Sequence, residues 1–247
     1  MEINRIYNES CLDTLARMPD RFVDLVVTSP PYNMRLRVSK GKYTFREKTK
    51  HMSKKYDHFD DALPIEEFYS FHKQVLSELL RVSKIVCYNF QIVTGSKEAF
   101  FRLIGDFSPY IRDIIVWDKG HGEPAMHPSV MNACHEFILV LEPEGVPGRG
   151  ISNVYFERGT MNNILRIPKN RKGGGEHGAV FPIDLPKALI SAFSPVRGLV
   201  YDPFAGQGTS CVAAVELDRN FLGSELVEEY ALDCERNVSE AIDKLYF

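Results

Sequence analysis

YDPFAGQGTS, residues 201–210, decides the fold, because it leaves a short apolar run and enters a helical one. Gly206 and Gly208 let the backbone turn tightly and approach a ligand closely, since neither carries a Cβ. Thr209 stands where the helix begins and where free backbone N–H groups can face an anionic group. A G-x-G pair also occurs in ordinary strand-to-helix turns. The third glycine of a dinucleotide-binding fingerprint is missing, so the turn favours a smaller nucleoside ligand.

An acidic residue follows the next predicted strand along the chain. Glu225 lies two residues after the predicted strand 221–223. At the end of such a strand, a carboxylate can accept hydrogen bonds from both hydroxyls of a ribose. The sequence therefore predicts that Glu225 and the glycine turn contact the same ligand.

Short apolar runs alternate with helical periodicity over most of the chain, and this alternation predicts an α/β fold with a mainly parallel sheet and helices on both faces. The predicted strands are 23–28, 84–88, 111–117, 136–141, 198–201 and 221–223. The predicted helices are 65–82, 182–193, 209–217 and 228–245. In such folds, ligands bind beyond the carboxyl ends of the strands.

A second unusual segment, TSPPYN at residues 28–33, occupies one of these strand ends. Its two prolines remove backbone donors and fix φ, so the carbonyls of Ser29 and Pro30 are rigid acceptors that need outside donors. An exocyclic amino group supplies such donors, and Tyr32 offers an aromatic face beside them. Ser-Pro-Pro also occurs in plain loops. Its position at a strand end, in a chain that also has the glycine turn, favours a site for a planar heterocycle.

The composition is that of a globular chain: 247 residues, 44% hydrophobic and 26% charged, with a formal net charge of −3. We expect a single domain over 1–247. No run approaches the roughly 20 apolar residues of a membrane span, and the N-terminus lacks a signal-peptide pattern, so we expect the cytosol and no membrane partner. The five cysteines are widely spread without a C-x-x-C pair, which predicts neither a disulfide framework nor a metal site.

The near-zero net charge conceals one strongly basic segment at residues 35–55. It holds nine Lys or Arg and one acid, a net of +8, so the rest of the chain nets −11. Such a segment in an acidic chain suits a polyanion, and its aromatic residues suit exposed bases; a solvated loop is the alternative. The predicted nucleic-acid contacts are Asn33, Arg35, Arg37, Lys40, Lys42, Arg46, Lys48, Lys50, Lys54 and Lys55.

Together these segments resemble the S-adenosylmethionine-dependent amino-methyltransferases of DNA, which methylate cytosine N4 or adenine N6. TSPPY at 28–32 resembles the family's catalytic [DNS]-P-P-[YFW] motif, and DPFAGQGT at 202–209 resembles its cofactor motif. HGAVFP at 177–182 is similar to the segment that precedes the cofactor motif. Because the catalytic motif comes first, the order resembles the circularly permuted beta group and implies a Rossmann-like methyltransferase fold.

The resemblance implies roles for individual residues. The catalytic residues would be Ser29, Pro30, Pro31 and Tyr32. The residues that bind S-adenosyl-L-methionine would be Asp202, Phe204, Ala205, Gly206, Gly208, Thr209, Glu225 and Phe181. No metal is implied. Where the family often has Gly-Asp-Cys near its N-terminus, this chain has Glu9 in the sequence NESC, and the role of Glu9 stays open.

The resemblance further implies that double-stranded DNA is the partner and that a target base is flipped into the Ser-Pro-Pro-Tyr pocket. Ser rather than Asp before the prolines favours cytosine N4. Adenine N6 methylation, an RNA substrate and a non-catalytic nucleic-acid-binding module are the alternatives. Residues 118–135 and 143–176 are the candidate target-recognition regions. A homodimer and a cognate restriction endonuclease are partners that the sequence leaves open.

Overall fold

The computed structural model describes residues 1–33, 38–39, 42–43, 63–122, 128–143, 148–169 and 182–246. The strands in these ranges are β1 (Arg5–Tyr7), β2 (Val23–Thr28), β3 (Val38–Ser39), β4 (Lys42–Tyr43), β5 (Ser83–Phe90), β6 (Ile111–Asp118), β7 (His135–Leu141), β8 (Ile164–Arg166), β9 (Leu199–Asp202) and β10 (Asn220–Ser224). The helices are α1 (Cys11–Arg17), α2 (Ile65–Val82), α3 (Lys97–Asp106), α4 (Asp184–Phe193), α5 (Thr209–Glu216) and α6 (Glu228–Tyr246).

Eight of these strands form one sheet in the order β1-β10-β9-β2-β5-β7-β6-β8. The first five strands in this order, β1-β10-β9-β2-β5, pair in parallel. The edge strand β8 also pairs in parallel with β6. Within this sheet, β7 runs antiparallel to its neighbours, β5 and β6. The predicted mainly parallel α/β sheet is therefore confirmed.

Apolar side chains of the central strands pack against helices on both faces of the sheet. Leu25 and Val27 of β2 join the core that contains residues of α4, α5 and α6, whereas Val26 joins the core that contains residues of α1, α2 and α3. Successive side chains of a strand point to opposite faces, so a strand covered on both sides carries apolar residues at consecutive positions, as at residues 25–27. This explains why β2 shows no alternation of apolar and polar residues.

The pairing of β2 with β9 positions the two unusual segments. Leu25 lies opposite Val200 and Val26 lies opposite Tyr201 in parallel register. The carboxyl ends of both strands therefore meet at the same edge of the sheet, and the chain leaves them as TSPPYN and as the glycine turn. Within the described ranges, no helix has the length and apolar composition needed to cross a membrane.

Candidate active site

The glycine turn uses its two glycines for different physical reasons. Gly208 has φ +84° and precedes the first residue of α5. A Cβ at this position would overlap the Sγ atom of Cys234 on α6. Gly206 has φ +51°, and a Cβ there would meet nothing within 4 Å among the described atoms. Gly208 is thus required for internal packing, whereas Gly206 faces open space that a ligand can approach.

The carboxylate of Glu225 lies against this turn. Its Oε2 accepts a hydrogen bond of 2.8 Å from the backbone N–H of Gly206, and its Oε1 accepts one of 2.9 Å from that of Val227. Burial raises the pKa of Glu225, and these backbone hydrogen bonds oppose the rise. The end of β10 and the glycine turn are therefore joined by hydrogen bonds, and their contact with a common ligand stays a prediction.

Asp202 connects the glycine turn to the other unusual segment. Its side chain is 3% exposed, and Oδ1 accepts hydrogen bonds from the Thr28 hydroxyl at 2.7 Å and from the Phe204 backbone N–H at 3.1 Å. Burial raises the pKa of Asp202 to about 6, while the hydrogen bond from Thr28 acts in the opposite direction. Burial therefore opposes the charged form of Asp202 more strongly than its hydrogen bonds favour it.

The side chains of Ser29 and Tyr32 touch each other at the end of β2. Ser29 Oγ lies 2.7 Å from the Tyr32 hydroxyl, which in turn donates a 2.9 Å hydrogen bond to Oε2 of Glu136. Asn89 at the end of β5 places its Nδ2 2.7 Å from both the Tyr32 hydroxyl and Glu136 Oε2. The Ser-Pro-Pro-Tyr segment is therefore held by a polar cluster.

A buried ion pair completes this cluster. Lys119 Nζ lies 3.1 Å from Oε1 of Glu136, and the two residues are 5% and 6% exposed. Lys119 follows the end of β6, and Glu136 is the second residue of β7. Because β7 is antiparallel to β5 and β6, its beginning meets their ends at the same edge of the sheet.

The sequence pattern singled out neither Asn89 nor Glu136, and it included Lys119 only within the candidate recognition region 118–135. A signal was present, since Glu136 is a charged residue at the start of an otherwise apolar strand, HEFILVL, and Asn89 lies between aromatic residues at a strand end. Charged residues are almost never fully buried unless they are paired. Which cation pairs with Glu136 depends on the strand order, which the sequence pattern does not contain.

Asn33, which we predicted as a nucleic-acid contact, lies inside the protein. It is fully buried with φ +53°, and its Nδ2 donates hydrogen bonds of 3.0 Å to the carbonyls of Leu63 and Gly95. This is not the surface position that a DNA contact requires. The Asn33 amide instead holds the chain where it leaves the Ser-Pro-Pro-Tyr segment. Asparagine adopts a positive φ more readily than most residues because its short polar side chain can form local hydrogen bonds.

Most of the other predicted contacts lie outside the described residues. Of the predicted contacts in the basic segment, only Lys42 is described, by its backbone in β4. The residues outside the described ranges are Arg35, Arg37, Lys40, Arg46, Lys48, Lys50, Lys54 and Lys55. Phe181, predicted to contact the cofactor, also lies outside them.

Glu9 is engaged by neighbouring side chains of α1. It forms an ion pair with Arg17, and its Oε1 accepts a 2.6 Å hydrogen bond from the Thr14 hydroxyl. The hydrogen bond from Arg17 lowers the pKa of Glu9. In this arrangement the Glu9 carboxylate is held by side chains of α1.

Comparison with known proteins agrees with this geometry. A sequence model described as DNA methylase, of the N6/N4 type, matches residues 23–236. The chain belongs to the N6/N4 DNA methylase family. The match spans both motifs in the order found here, and it confirms the resemblance to the DNA amino-methyltransferases.

Individual relatives cover nearly the whole of this DNA methylase. The type II methyltransferase M.BglII of Bacillus subtilis is 25% identical over 261 residues, which cover 92% of this chain and 67% of the relative. The solved structure of TTHA0409 from Thermus thermophilus, complexed with S-adenosyl-L-methionine, has a TM-score of 0.64 at 23% identity and covers 97% of this chain and 96% of that one. The cytosine-N4-specific PvuII DNA methyltransferase has a TM-score of 0.67 at 17% identity, covering 99% and 93%. These likenesses confirm the methyltransferase fold.

Proposed function

We propose that this DNA methylase transfers a methyl group from S-adenosyl-L-methionine to the exocyclic amino group of a flipped base, with cytosine N4 as the target. The observation that carries the proposal is the hydrogen bond between Thr28 and Asp202, which joins the Ser-Pro-Pro-Tyr segment to the glycine turn. A base held by the first segment and a cofactor held by the second would lie side by side.

The residues of the glycine turn fit the cofactor. The open space in front of Gly206 admits a ligand against the backbone, and Glu225 and Asp202 offer carboxylates at the two neighbouring strand ends. Glu225 would accept hydrogen bonds from ribose hydroxyls, and Asp202 would face the ammonium group. The remaining proposed cofactor contacts are Phe204, Ala205, Gly208 and Thr209. Phe181, which lies outside the described residues, is a further proposed contact.

The Ser-Pro-Pro-Tyr segment would hold the base. Ser29 and the carbonyl of Pro30 accept hydrogen bonds from the amino group, Pro31 keeps the loop rigid, and the Tyr32 ring stacks on the base. S-adenosylmethionine, when bound, supplies an electrophilic methyl group. Positioning of two reactants can remove on the order of 7–11 kcal/mol of barrier, so these residues need only orient the amino lone pair.

The choice of cytosine N4 rests on Ser29, because the resemblance associates serine before the two prolines with cytosine. PvuII DNA methyltransferase, described as cytosine-N4-specific, has the same fold and supports this choice by analogy. Adenine N6 is the second candidate, since an adenine amino group offers the same two N–H donors to Ser29 and Pro30.

Double-stranded DNA would approach over the basic segment, which follows the catalytic segment directly in the chain. We further propose that residues 1–247 form one methyltransferase domain, because the first strand, β1, pairs with the last, β10, in a single sheet. The candidate recognition regions expose large apolar side chains, among them Met131 at 92% exposure and Tyr155 at 50%. Such side chains suit contact with bases.

The test is to express the protein in cells whose DNA carries no other amino methylation, digest the DNA to nucleosides and identify the products by mass spectrometry. We expect N4-methylcytosine, and no product from cells that express Ser29→Ala. N6-methyladenine alone would overturn the choice of base but leave amino methylation standing. If neither product forms while the purified protein is folded and binds S-adenosylmethionine, the proposed reaction is wrong.

A further inference from the structure

Five polar side chains form a connected cluster at the catalytic edge of the sheet. The cluster runs from the Lys119 ammonium to Glu136, then to the Tyr32 hydroxyl and finally to Ser29 Oγ, and Asn89 bridges its middle. Lys119, Glu136 and Asn89 are each at least nine-tenths buried. Burying a charged pair costs free energy unless its geometry is good and further hydrogen bonds satisfy its remaining polar atoms.

The direction of each hydrogen bond follows from counting protons. A carboxylate paired with Lys119 only accepts, so the hydroxyl of Tyr32 must donate to Glu136 Oε2. The Asn89 amide must turn its Nδ2 toward the same oxygen, because its own oxygen would repel the carboxylate. The single hydroxyl proton of Tyr32 is then used in the hydrogen bond to Glu136. In the 2.7 Å contact between Tyr32 and Ser29, the tyrosine oxygen accepts and the serine donates.

We propose that Glu136 is a positioning residue that acts through Tyr32 to orient the Ser29 hydroxyl, so that its proton points away from the base. One lone pair of Ser29 Oγ then accepts a hydrogen bond of 3.3 Å from Asn89 Nδ2, and the other faces the base. Lys119 holds Glu136 in this role, and Asn89 fixes the shared oxygen. The inference deepens the proposed amino methylation and rests on it.

The orientation matters because the amino group of the base is a hydrogen-bond donor. A serine hydroxyl that rotates freely offers its proton to the pocket for part of the time, and that proton would oppose the N–H group. Fixing the proton on the line to Tyr32 makes Ser29 a permanent acceptor. Preorganised dipoles of this kind act without reorganisation during the reaction.

The substitution Glu136→Gln tests the direction of the bonds while preserving shape. Lys119 should hold the oxygen of the new amide, so the NH₂ group of the amide faces Tyr32. The hydroxyl oxygen of Tyr32 then accepts a hydrogen bond from that NH₂ group. The Tyr32 proton can then turn to Ser29, whose own proton is driven toward the pocket. The double variant Lys119→Met/Glu136→Gln frees the amide to rotate, and it should transfer methyl groups faster than Glu136→Gln alone.

Single-turnover methyl transfer to DNA should be about 10- to 100-fold slower in Glu136→Gln and in Tyr32→Phe. This factor corresponds to the loss of one hydrogen bond to a charged group. Affinities for cofactor and DNA should stay unchanged. Both substitutions interrupt the same chain of hydrogen bonds from Glu136 through Tyr32 to Ser29. The double variant Tyr32→Phe/Glu136→Gln should therefore be no slower than the slower single variant. Multiplied losses in the double variant would overturn the proposal.

A matched control is the second buried ion pair beside β7, between Arg112 and Glu142 at the opposite end of the strand. Glu142→Gln should lower stability, yet the folded enzyme should keep the wild-type rate of methyl transfer. A rate loss equal to that of Glu136→Gln would show a purely structural effect and overturn the proposal.

Neutron diffraction from the deuterated protein without cofactor gives a readout independent of activity. We expect the deuterium of Ser29 on the line to the Tyr32 oxygen in the wild type and toward the pocket in Glu136→Gln. Deuterium facing the pocket in the wild type would overturn the inference while leaving the proposed function intact. If Ser29→Ala itself methylates DNA at the normal rate, the inference fails although amino methylation stands; the proposed function fails only if the folded wild-type protein forms no methylated base.

Discussion

The hydroxyl of Thr28 donates a 2.7 Å hydrogen bond to Oδ1 of Asp202, across a separation of 174 residues in the chain. Thr28 ends β2 immediately before the Ser-Pro-Pro-Tyr segment, and Asp202 ends β9 immediately before the glycine turn. The bond is buried, so it is stronger than the same bond in water. It couples the position of the proposed base pocket to the position of the proposed cofactor site.

Removal of this bond should weaken both stability and cofactor binding. Thr28→Val keeps the shape but leaves a buried carboxylate without one of its donors, which should cost about 1–3 kcal/mol of unfolding free energy. Thr28→Ser keeps the hydroxyl and should lose much less. Urea unfolding and calorimetric titration with S-adenosylmethionine measure the two effects, and equal behaviour of the Val and Ser variants would contradict the role of the bond.

Asp202 should make stability depend on pH in a defined direction. Its pKa in the folded protein is about 6, above its ordinary value of 3.8. The folded state therefore binds an extra proton between about pH 4 and pH 6, and the contribution of Asp202 to stability is lost as the pH rises through this window. This rise of the pKa from 3.8 to about 6 corresponds to roughly 3 kcal/mol.

Asp202→Asn removes this titration while keeping an oxygen for Thr28. Relative to the wild type, the variant should therefore gain up to roughly 3 kcal/mol of stability between about pH 4 and pH 7. Denaturant unfolding of both proteins at several pH values measures the difference. A difference that is constant with pH would show that the carboxyl group titrates normally.

The two glycines of the turn should respond differently to alanine. Gly206→Ala places a Cβ in open space, so the protein should fold, at a cost of about 1–2 kcal/mol for its positive φ, but bind the cofactor poorly. Gly208→Ala drives a Cβ into Cys234 and should destabilise the fold itself.

Thermal unfolding and cofactor calorimetry separate the two glycine variants. Cys234→Ala removes the overlapping sulfur and should restore part of the stability of Gly208→Ala. Unchanged cofactor affinity in a folded Gly206→Ala variant would mean that the ligand does not approach this turn.

The Tyr32 ring should contribute to turnover separately from its hydroxyl. Tyr32→Ala removes a stacking contact worth about 1–3 kcal/mol, beyond what Tyr32→Phe loses, since the phenyl ring can still stack. Affinity for S-adenosylmethionine should be nearly unchanged in both variants. Methyl transfer assays on DNA compare them, and equal rates for Ala and Phe would argue that the ring does not touch the base.

The basic segment should govern the salt dependence of DNA binding. Replacing Lys48, Lys50, Lys54 and Lys55 by Gln should weaken binding to duplex DNA and reduce the slope of log affinity against log salt by up to about 0.9 for each lost phosphate contact. Cofactor binding should not change. Lys244→Gln near the end of α6 is a control for a single lost charge. An unaltered slope in the quadruple variant would place the DNA on another face, such as the one carrying Arg166 and Lys169.

Local sequence patterns determined the elements of this fold that are long and uniform. The apolar run of β2 and the amphipathic pattern of α2 predict both elements with the bounds that the structure has, Val23–Thr28 and Ile65–Val82. The alternation of apolar runs and helical periodicity missed the helices α1 and α3 and the two- and three-residue strands β1, β3, β4 and β8. A strand as short as β8 carries too little pattern to be recognised and forms because β6 offers it a partner.

The sequence by itself also determined where the two motifs lie, because the residues of each motif are consecutive and follow a strand. The tertiary structure alone decided what surrounds them. Asn33 turns inward because Leu63 and Gly95 offer it carbonyls, and Lys119, Glu136 and Asn89 reach Ser29 and Tyr32 because an antiparallel β7 begins where β2, β5 and β6 end. Strand order and direction depend on packing between distant segments, which no local spacing of residues encodes.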